Sequence, residues 1–217
     1  MALTATTTTT TTTATTAEAA TTSVDPLLID VPERLETERL ILRCLQPGDG
    51  AVVNAGVCAS LDALRPYMPW AQSAPPLEES ESMCRRAQAN FRLREDLVYA
   101  MFLREAGAEG DYIGGCGLHR IDWTVRRFEI GYWRRTGYEH KGYVTEAAQA
   151  LVRLCFDTLA ARRVELRMDA RNEPSWKVAE RAGFTYEGTL RGNTLTPGGE
   201  PRDTRIYARV RGFEEPA

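Results

Sequence analysis

Tyr138-Glu139-His140-Lys141-Gly142-Tyr143-Val144-Thr145-Glu146 runs without a break into the apolar-periodic segment Ala147 to Leu159. The nine residues read as a tight turn feeding a helix. Immediately upstream, Phe128-Glu129-Ile130-Gly131-Tyr132-Trp133 has the character of a strand. Strand, glycine-containing loop and helix N-terminus, in that order, gather backbone N–H groups at the positive end of a helix dipole, which makes an anion site. A phosphate-bearing cofactor is the expectation from this stretch. A plain turn before a helix is the alternative reading of the same nine residues.

Working outward on the C-terminal side, Arg163 to Ala170 alternates strictly, with Val164, Leu166, Met168 and Ala170 on one face, and is the clearest strand in the chain. Asn172-Glu173-Pro174-Ser175 starts a helix, with Asn172 as N-cap and Pro174 at a tolerated early position, and Ala182-Gly183 stops it. Phe184 to Leu190 returns as a strand, the turn Thr196-Pro197-Gly198-Gly199 follows, and Thr204 to Val210 is the last strand.

On the N-terminal side, strand character begins at Leu35, with Leu40, Leu42 and Cys44 sharing a face. Asp49 or Asp62 could cap short helices across Ala51 to Leu64. An aromatic loop broken by two prolines, with Tyr67, Met68 and Trp70, then suggests either a pocket wall or packing on the core. Glu78 to Leu93 is an amphipathic helix. Leu97 to Leu103 is a strand covered on both faces. After a turn at 106–111 comes a strand from Tyr112 to Ile121 that carries Gly114, Gly115, Gly117 and His119. The glycines would weaken it unless another backbone or a ligand approaches closely. The sum is an α/β (α+β) fold: about seven strands in a mixed, mostly antiparallel sheet with helices on both faces.

The chain has 217 residues, 43% hydrophobic and 26% charged, with a net charge of -3, which suits one globular domain over residues 26–217. No Lys/Arg block argues for nucleic acid or an anionic membrane, and no stretch is long and apolar enough to cross a bilayer. Residues 1–25 are Thr-rich and read as a disordered tail rather than a targeting signal. The five cysteines, Cys44, Cys58, Cys84, Cys116 and Cys155, lack metal or disulfide spacing and read as reduced thiols in a cytoplasmic protein. With only His119 and His140, no metal centre is expected.

Three motifs at compatible spacing carry a resemblance: Glu129-Ile130-Gly131-Tyr132-Trp133; the Tyr138 to Ala147 loop; and Arg171-Asn172-Glu173-Pro174-Ser175 with Ala182-Gly183-Phe184 and Glu187-Gly188. From Leu35 to about Arg211 the chain resembles the GNAT superfamily of acyl-CoA-dependent N-acetyltransferases. Within it the chain is similar to the RimJ/RimL-like branch, whose namesakes acetylate N-termini of ribosomal proteins. The resemblance implies a GNAT-like sheet with splayed central strands. It implies acetyl-CoA as co-substrate, with its pyrophosphate on the backbone of His140, Lys141, Gly142, Tyr143, Val144 and Thr145. The pantetheine arm would lie along Tyr132, Trp133 and Arg134, with Asn172 reaching it from the other side. The loop departs from the family's usual Gln/Arg-x-x-Gly-x-Gly/Ala pattern at Glu139, His140 and Val144. Glu139 would repel a pyrophosphate unless it points away, and Lys141 and His140 could offset it.

The implied chemistry is direct attack of a primary amine on the thioester in a ternary complex. Glu129, in an otherwise apolar strand, is the expected base, its alternative role being an ion pair with Arg127 or Arg191. Some relatives place a Glu a few residues after Glu-Gly-x-Leu, but here Arg191-Gly192-Asn193-Thr194 has no carboxylate. Ser175 is the implied donor to the departing thiolate, with Tyr207 as substitute. The acceptor is a protein N-terminus or a small-molecule amine in a pocket walled by Tyr67, Met68 and Trp70. A homodimer is common in this branch. The alternative function is a non-catalytic acyl-CoA-binding module.

Overall fold

The structure is a computed structural model that describes residues 25–216; residues 1–24 of the stretch read as a tail lie outside the described residues. Asp25, grouped with that stretch in the sequence, instead opens a short turn, its carboxylate accepting from Leu27 N–H at 3.0 Å.

The strands are β1 (Arg34–Glu36), β2 (Leu40–Cys44), β3 (Leu97–Glu105), β4 (Ala108–Asp122), β5 (Arg127–Arg134), β6 (Arg163–Asp169), β7 (Thr185–Leu195) and β8 (Pro201–Val210). The helices are α1 (Gly50–Cys58), α2 (Leu61–Leu64), α3 (Leu77–Leu93), α4 (Tyr143–Arg153) and α5 (Glu173–Arg181). The strands form one sheet in the order β1-β2-β3-β4-β5-β6-β8-β7. Every neighbouring pair is antiparallel except β5 and β6. The sheet has eight strands where the sequence suggested about seven. The extra one, β1, is a three-residue edge strand with no buried side chain, too short to carry a period.

Alternation along the central strands feeds two cores. Leu40, Leu42, Leu97, Tyr99, Met101, Phe128 and Ile130 pack with Ala147 and Leu151 of α4 and Ala179 of α5. Ile41, Ala100 and Phe102 pack with Val53 and Val57 of α1 and Cys84 and Ala87 of α3. Helices therefore cover both faces. Asp49 does not cap α1, and Ser60 rather than Asp62 holds the cap position of α2. The Asp49 carboxylate instead takes a bidentate grip from Arg43 at 2.7 and 2.9 Å, a stronger bond than a cap can offer. The helix expected to run to Leu159 changes pitch after Arg153 into a π-turn, Leu154–Thr158, which keeps Leu154, Cys155 and Phe156 all buried. The remaining cysteines divide the same way: Cys44, Cys84 and Cys116 are buried and only Cys58 is exposed.

The glycines of β4 answer the question they raised. Gly114 has φ +143, and a Cβ there would sit 2.3 Å from the Trp133 carbonyl oxygen. Gly117 would meet the Leu97 carbonyl oxygen at 2.8 Å. Backbone does approach closely. Gly114→Ala is expected to destabilise the protein by about 2–4 kcal/mol, combining a forbidden dihedral with a clash; chemical denaturation measures it, and an unchanged midpoint would contradict the close approach.

What matters most for function is where the sheet opens. The parallel pairing of β5 with β6 covers Arg127↔Arg163, Phe128↔Val164 and Glu129↔Glu165 and then stops. On its other edge β5 stays paired with β4 as far as Gly114↔Arg134. From Ile130 to Arg134, β5 thus has backbone groups on the β6 side with no strand partner among the described residues.

Candidate active site

The loop after β5 runs directly into the N-terminus of α4. Gly142 is the N-cap of α4 with φ +79, and among the described residues no side chain caps the helix. The φ, rather than crowding, selects glycine here, since a Cβ would find only Arg39 Nη2, at 3.5 Å. His140 is also left-handed, at φ +59. The first N–H groups of a helix lack intrahelical acceptors. Those of Tyr143, Val144 and Thr145 point out of the helix start, while Glu146 N–H returns to the Gly142 carbonyl at 3.0 Å.

Two residues of the β1–β2 loop hold this loop in place. The Glu146 carboxylate accepts from Thr37 Oγ1 at 2.6 Å and from Arg39 N and Nε at 2.9 and 2.7 Å. Arg39 also donates to the Lys141 carbonyl at 2.9 Å and lies over the Tyr143 ring. The sequence reading missed Arg39 because it lies a hundred residues from the loop it braces, with no local pattern to mark it. Its guanidinium adds positive charge next to the N–H groups.

Glu139 turns back. It pairs with Arg134 and accepts from Gly137 N–H at 2.8 Å. Burial works upward on its pKa but is outweighed by the Arg134 hydrogen bond and charge, so the carboxylate is held below its usual range. The pair also occupies the Arg134 guanidinium. We expect Glu139→Gln to tighten CoA binding by about 3- to 10-fold, because a partly screened like charge near a pyrophosphate costs on the order of 1 kcal/mol; calorimetry at low salt reads it, and weaker binding would show that Glu139 organises the loop instead.

Across the opening between β5 and β6, Tyr132 reaches α5. Its hydroxyl donates to the Ser175 carbonyl at 2.9 Å and lies 3.2 Å from Ser175 Oγ. Burial pushes the Tyr132 pKa up to about 12, so the phenol stays protonated and can donate. The structure thus brings Tyr132 and Ser175 together. Asn172 is the N-cap of α5, its Oδ1 accepting from Ser175 N–H at 3.3 Å, so the capping role is filled. Tyr207 is directed elsewhere: it is 1% exposed and its hydroxyl donates to Glu180 at 3.3 Å.

Glu129 belongs to the last β5–β6 pair, at the apex of the opening. Neither Arg127 nor Arg191 is its partner. Arg127 faces Asp122, and Glu129 Oε2 accepts from Arg120 Nη1 at 2.5 Å. Arg120 is mostly exposed and can reach Glu129 from β4, the strand opposite. Burial pushes the Glu129 pKa up, against the pull of Arg120.

On the α1/α3 face next to this apex is a largely apolar cavity of about 420 Å³. Met68 and Trp70 line it, joined by Val53, Val57, Met83 and the Trp133 ring. Trp70 and Trp133 meet edge to face at 5.8 Å. Trp133, read as a cofactor contact, therefore offers its side chain to this cavity. Tyr67 is separated from Met68 and Trp70: it lines a second, more open cleft of about 540 Å³ with Arg65, Arg171 and the β7–β8 turn Thr196 to Gly198. His119 is also on the wall of the first cavity, its Nδ1 2.6 Å from Asp96 Oδ1. The sequence offered His119 only as an isolated strand residue; Asp96 lies beyond the end of α3. Among the described residues no group of three or more His, Cys, Asp or Glu side chains could hold a metal ion, and no helix is long and apolar enough to cross a membrane.

The chain is 28% identical over 180 residues to the uncharacterized N-acetyltransferase YoaA of Bacillus subtilis (strain 168), covering 83% of this chain and 98% of that protein. It is 27% identical over 154 residues to the ribosomal-protein-serine acetyltransferase of Escherichia coli (strain K12), covering 71% of this chain and 83% of that protein. The fold matches that of the microcin C7 self-immunity acetyltransferase MccE, solved with acetyl-CoA and AMP, with a TM-score of 0.75 at 20% identity over 81% of this chain and 94% of that one. Residues 39–185 match the acetyltransferase (GNAT) domain family, and the chain belongs to that family as a GNAT N-acetyltransferase of the RimJ/RimL-like branch.

Proposed function

We propose that the protein transfers the acetyl group of acetyl-CoA to a primary amine by direct attack in a ternary complex. The observation that carries this is the opening of β5 from β6 immediately beyond Glu129, beside a left-handed Gly142 loop at the start of α4. The loop N–H groups from His140 to Thr145, with Lys141 and Arg39 nearby, suit a pyrophosphate. The unpaired backbone of Ile130 to Arg134 suits the amides of a pantetheine arm, and an N–H there can stabilise the oxyanion. The amine nitrogen attacks the thioester carbon, Glu129 takes a proton from nitrogen, and the C–S bond breaks. The departing sulfur accepts a hydrogen bond and then a proton from the Ser175 and Tyr132 hydroxyl pair, which is re-protonated through water by the proton taken at Glu129; with a thiol pKa of about 8.5 the thiolate is a good leaving group and needs only modest help.

The acceptor enters from the α1/α3 side, where Met68 and Trp70 line the apolar cavity. We favour a protein N-terminus, because a second, open cleft lined by Tyr67, Arg65, Arg171 and the β7–β8 turn offers polar surface suited to an extended chain beyond its first residue. A small-molecule amine is the second reading, favoured by the largely apolar lining of the first cavity.

Mass spectrometry of a cell extract incubated with acetyl-CoA, with and without the protein, tests the activity. New N-terminal acetylation is the expected result. CoA binding by calorimetry with no amine, peptide or protein acetylated would instead make the chain an acyl-CoA-binding module, and no CoA binding would sink both.

A further inference from the structure

We propose that His119 and Asp96 form a proton-accepting dyad that takes the first proton from the acceptor ammonium, leaving Glu129 to take the second. The inference rests on the acetyltransferase reading above. An alkylammonium that becomes an amide gives up two protons from nitrogen: one before the lone pair can attack, and one from the tetrahedral intermediate once the N–C bond has formed. The leaving sulfur takes one proton as the C–S bond breaks, and one goes to solvent. A single carboxylate beside the thioester cannot hold both, so a second acceptor on the amine side has work to do.

The geometry points to His119. It stands opposite Glu129 in the β4–β5 register, and directly opposed residues of an antiparallel pair share a face at Cβ separations of about 5 Å. Its Nδ1 lies 2.6 Å from Asp96 Oδ1. A carboxylate only accepts, so Nδ1 carries the hydrogen and the neutral ring keeps its lone pair on Nε2. No partner for Nε2 occurs among the described residues. The ring lies over glycine: a Cβ at Gly131 would be 2.6 Å from His119 Cδ2 and 2.8 Å from Nε2, and one at Gly117 would be 3.3 Å from Nε2. Two strands thus leave out side chains where the imidazole sits against the cavity. That cavity is otherwise walled by groups such as Val57, Met68 and Trp70, which solvate an ammonium poorly and favour its neutral form. The side chains of His119 and Asp96 are 37% and 34% exposed, so the accepted proton has a way to water.

Two measurements test the dyad. In long-range 1H–15N spectra of the full chain, the neutral His119 ring should be protonated at Nδ1 and bare at Nε2, and Asp96→Asn should abolish that preference. A native ring protonated at Nε2 overturns the proposal. In kinetics, butylamine is compared with 2,2,2-trifluoroethylamine, whose ammonium is already largely deprotonated at neutral pH. His119→Gln should lower kcat/KM for butylamine by roughly 100-fold and for the fluorinated amine by less than about 3-fold, with calorimetric CoA affinity unchanged and imidazole restoring part of the rate to His119→Gly. Equal losses with both amines mean a merely structural histidine, and no loss with either means no role. Failure of the native protein to bind CoA would fall on the acetyltransferase reading, leaving the tautomer result to decide the dyad.

Discussion

Glu129→Gln is expected to lower kcat/KM for acetyl transfer by roughly 100-fold or more, the usual worth of a positioned base, with CoA affinity unchanged. The amide keeps the shape of the side chain and its hydrogen bond from Arg120, so a large effect isolates proton acceptance. The pH dependence gives the sign. A base works only when deprotonated, so activity falls as pH drops through its pKa. Burial raises that of Glu129, and the acidic limb should lie above the range of an ordinary glutamate. Because Arg120 pulls the pKa down, Arg120→Ala should move the limb to still higher pH. An Arg120→Ala limb at lower pH, or a Glu129→Gln enzyme of native rate, would remove Glu129 from the chemistry.

Gly142→Val should weaken CoA binding by about 10- to 100-fold. The residue sits at φ +79, where a β-branched side chain costs on the order of 1–3 kcal/mol. To escape, the loop must change the dihedrals that set the direction of its N–H groups. Space is not the difficulty, since only Arg39 approaches. Gly142→Asn is therefore the informative companion: asparagine tolerates the left-handed region and should retain most of the affinity. Equal losses for the two variants would show that crowding by the larger side chain, and not the dihedral, sets the requirement.

How far the sequence carried this reading depended on distance along the chain. Strand β6 was legible because its alternation is complete from Val164 to Met168, and α5 because Asn172 and Gly183 bracket it. The opening of the sheet lies between strands whose own patterns are ordinary; the resemblance supplied it, not periodicity. The contacts that set the site's chemistry join segments apart in sequence, Arg39 to Lys141 and Glu146, Tyr132 to Ser175 and Asp96 to His119, or cross a hairpin, Arg120 to Glu129. None has a spacing rule. Glu139 shows the limit most plainly. Its charge was evident in the sequence, but whether it faced the phosphate depended on Arg134 arriving from the end of β5.

The brief parallel junction has a mechanical consequence. Three residue pairs join β1–β5 to β6–β8 within the sheet, so the two blocks meet at a hinge-like seam whose outer part has no rungs. A bound pantetheine would supply them, acting as a removable strand. On that view the co-substrate should stiffen the protein as well as feed it acetyl groups: amide exchange in Ile130 to Trp133 and Leu166 to Asp169 should slow on CoA binding far more than exchange in β2 and β3, and product release should coincide with the loosening of the seam.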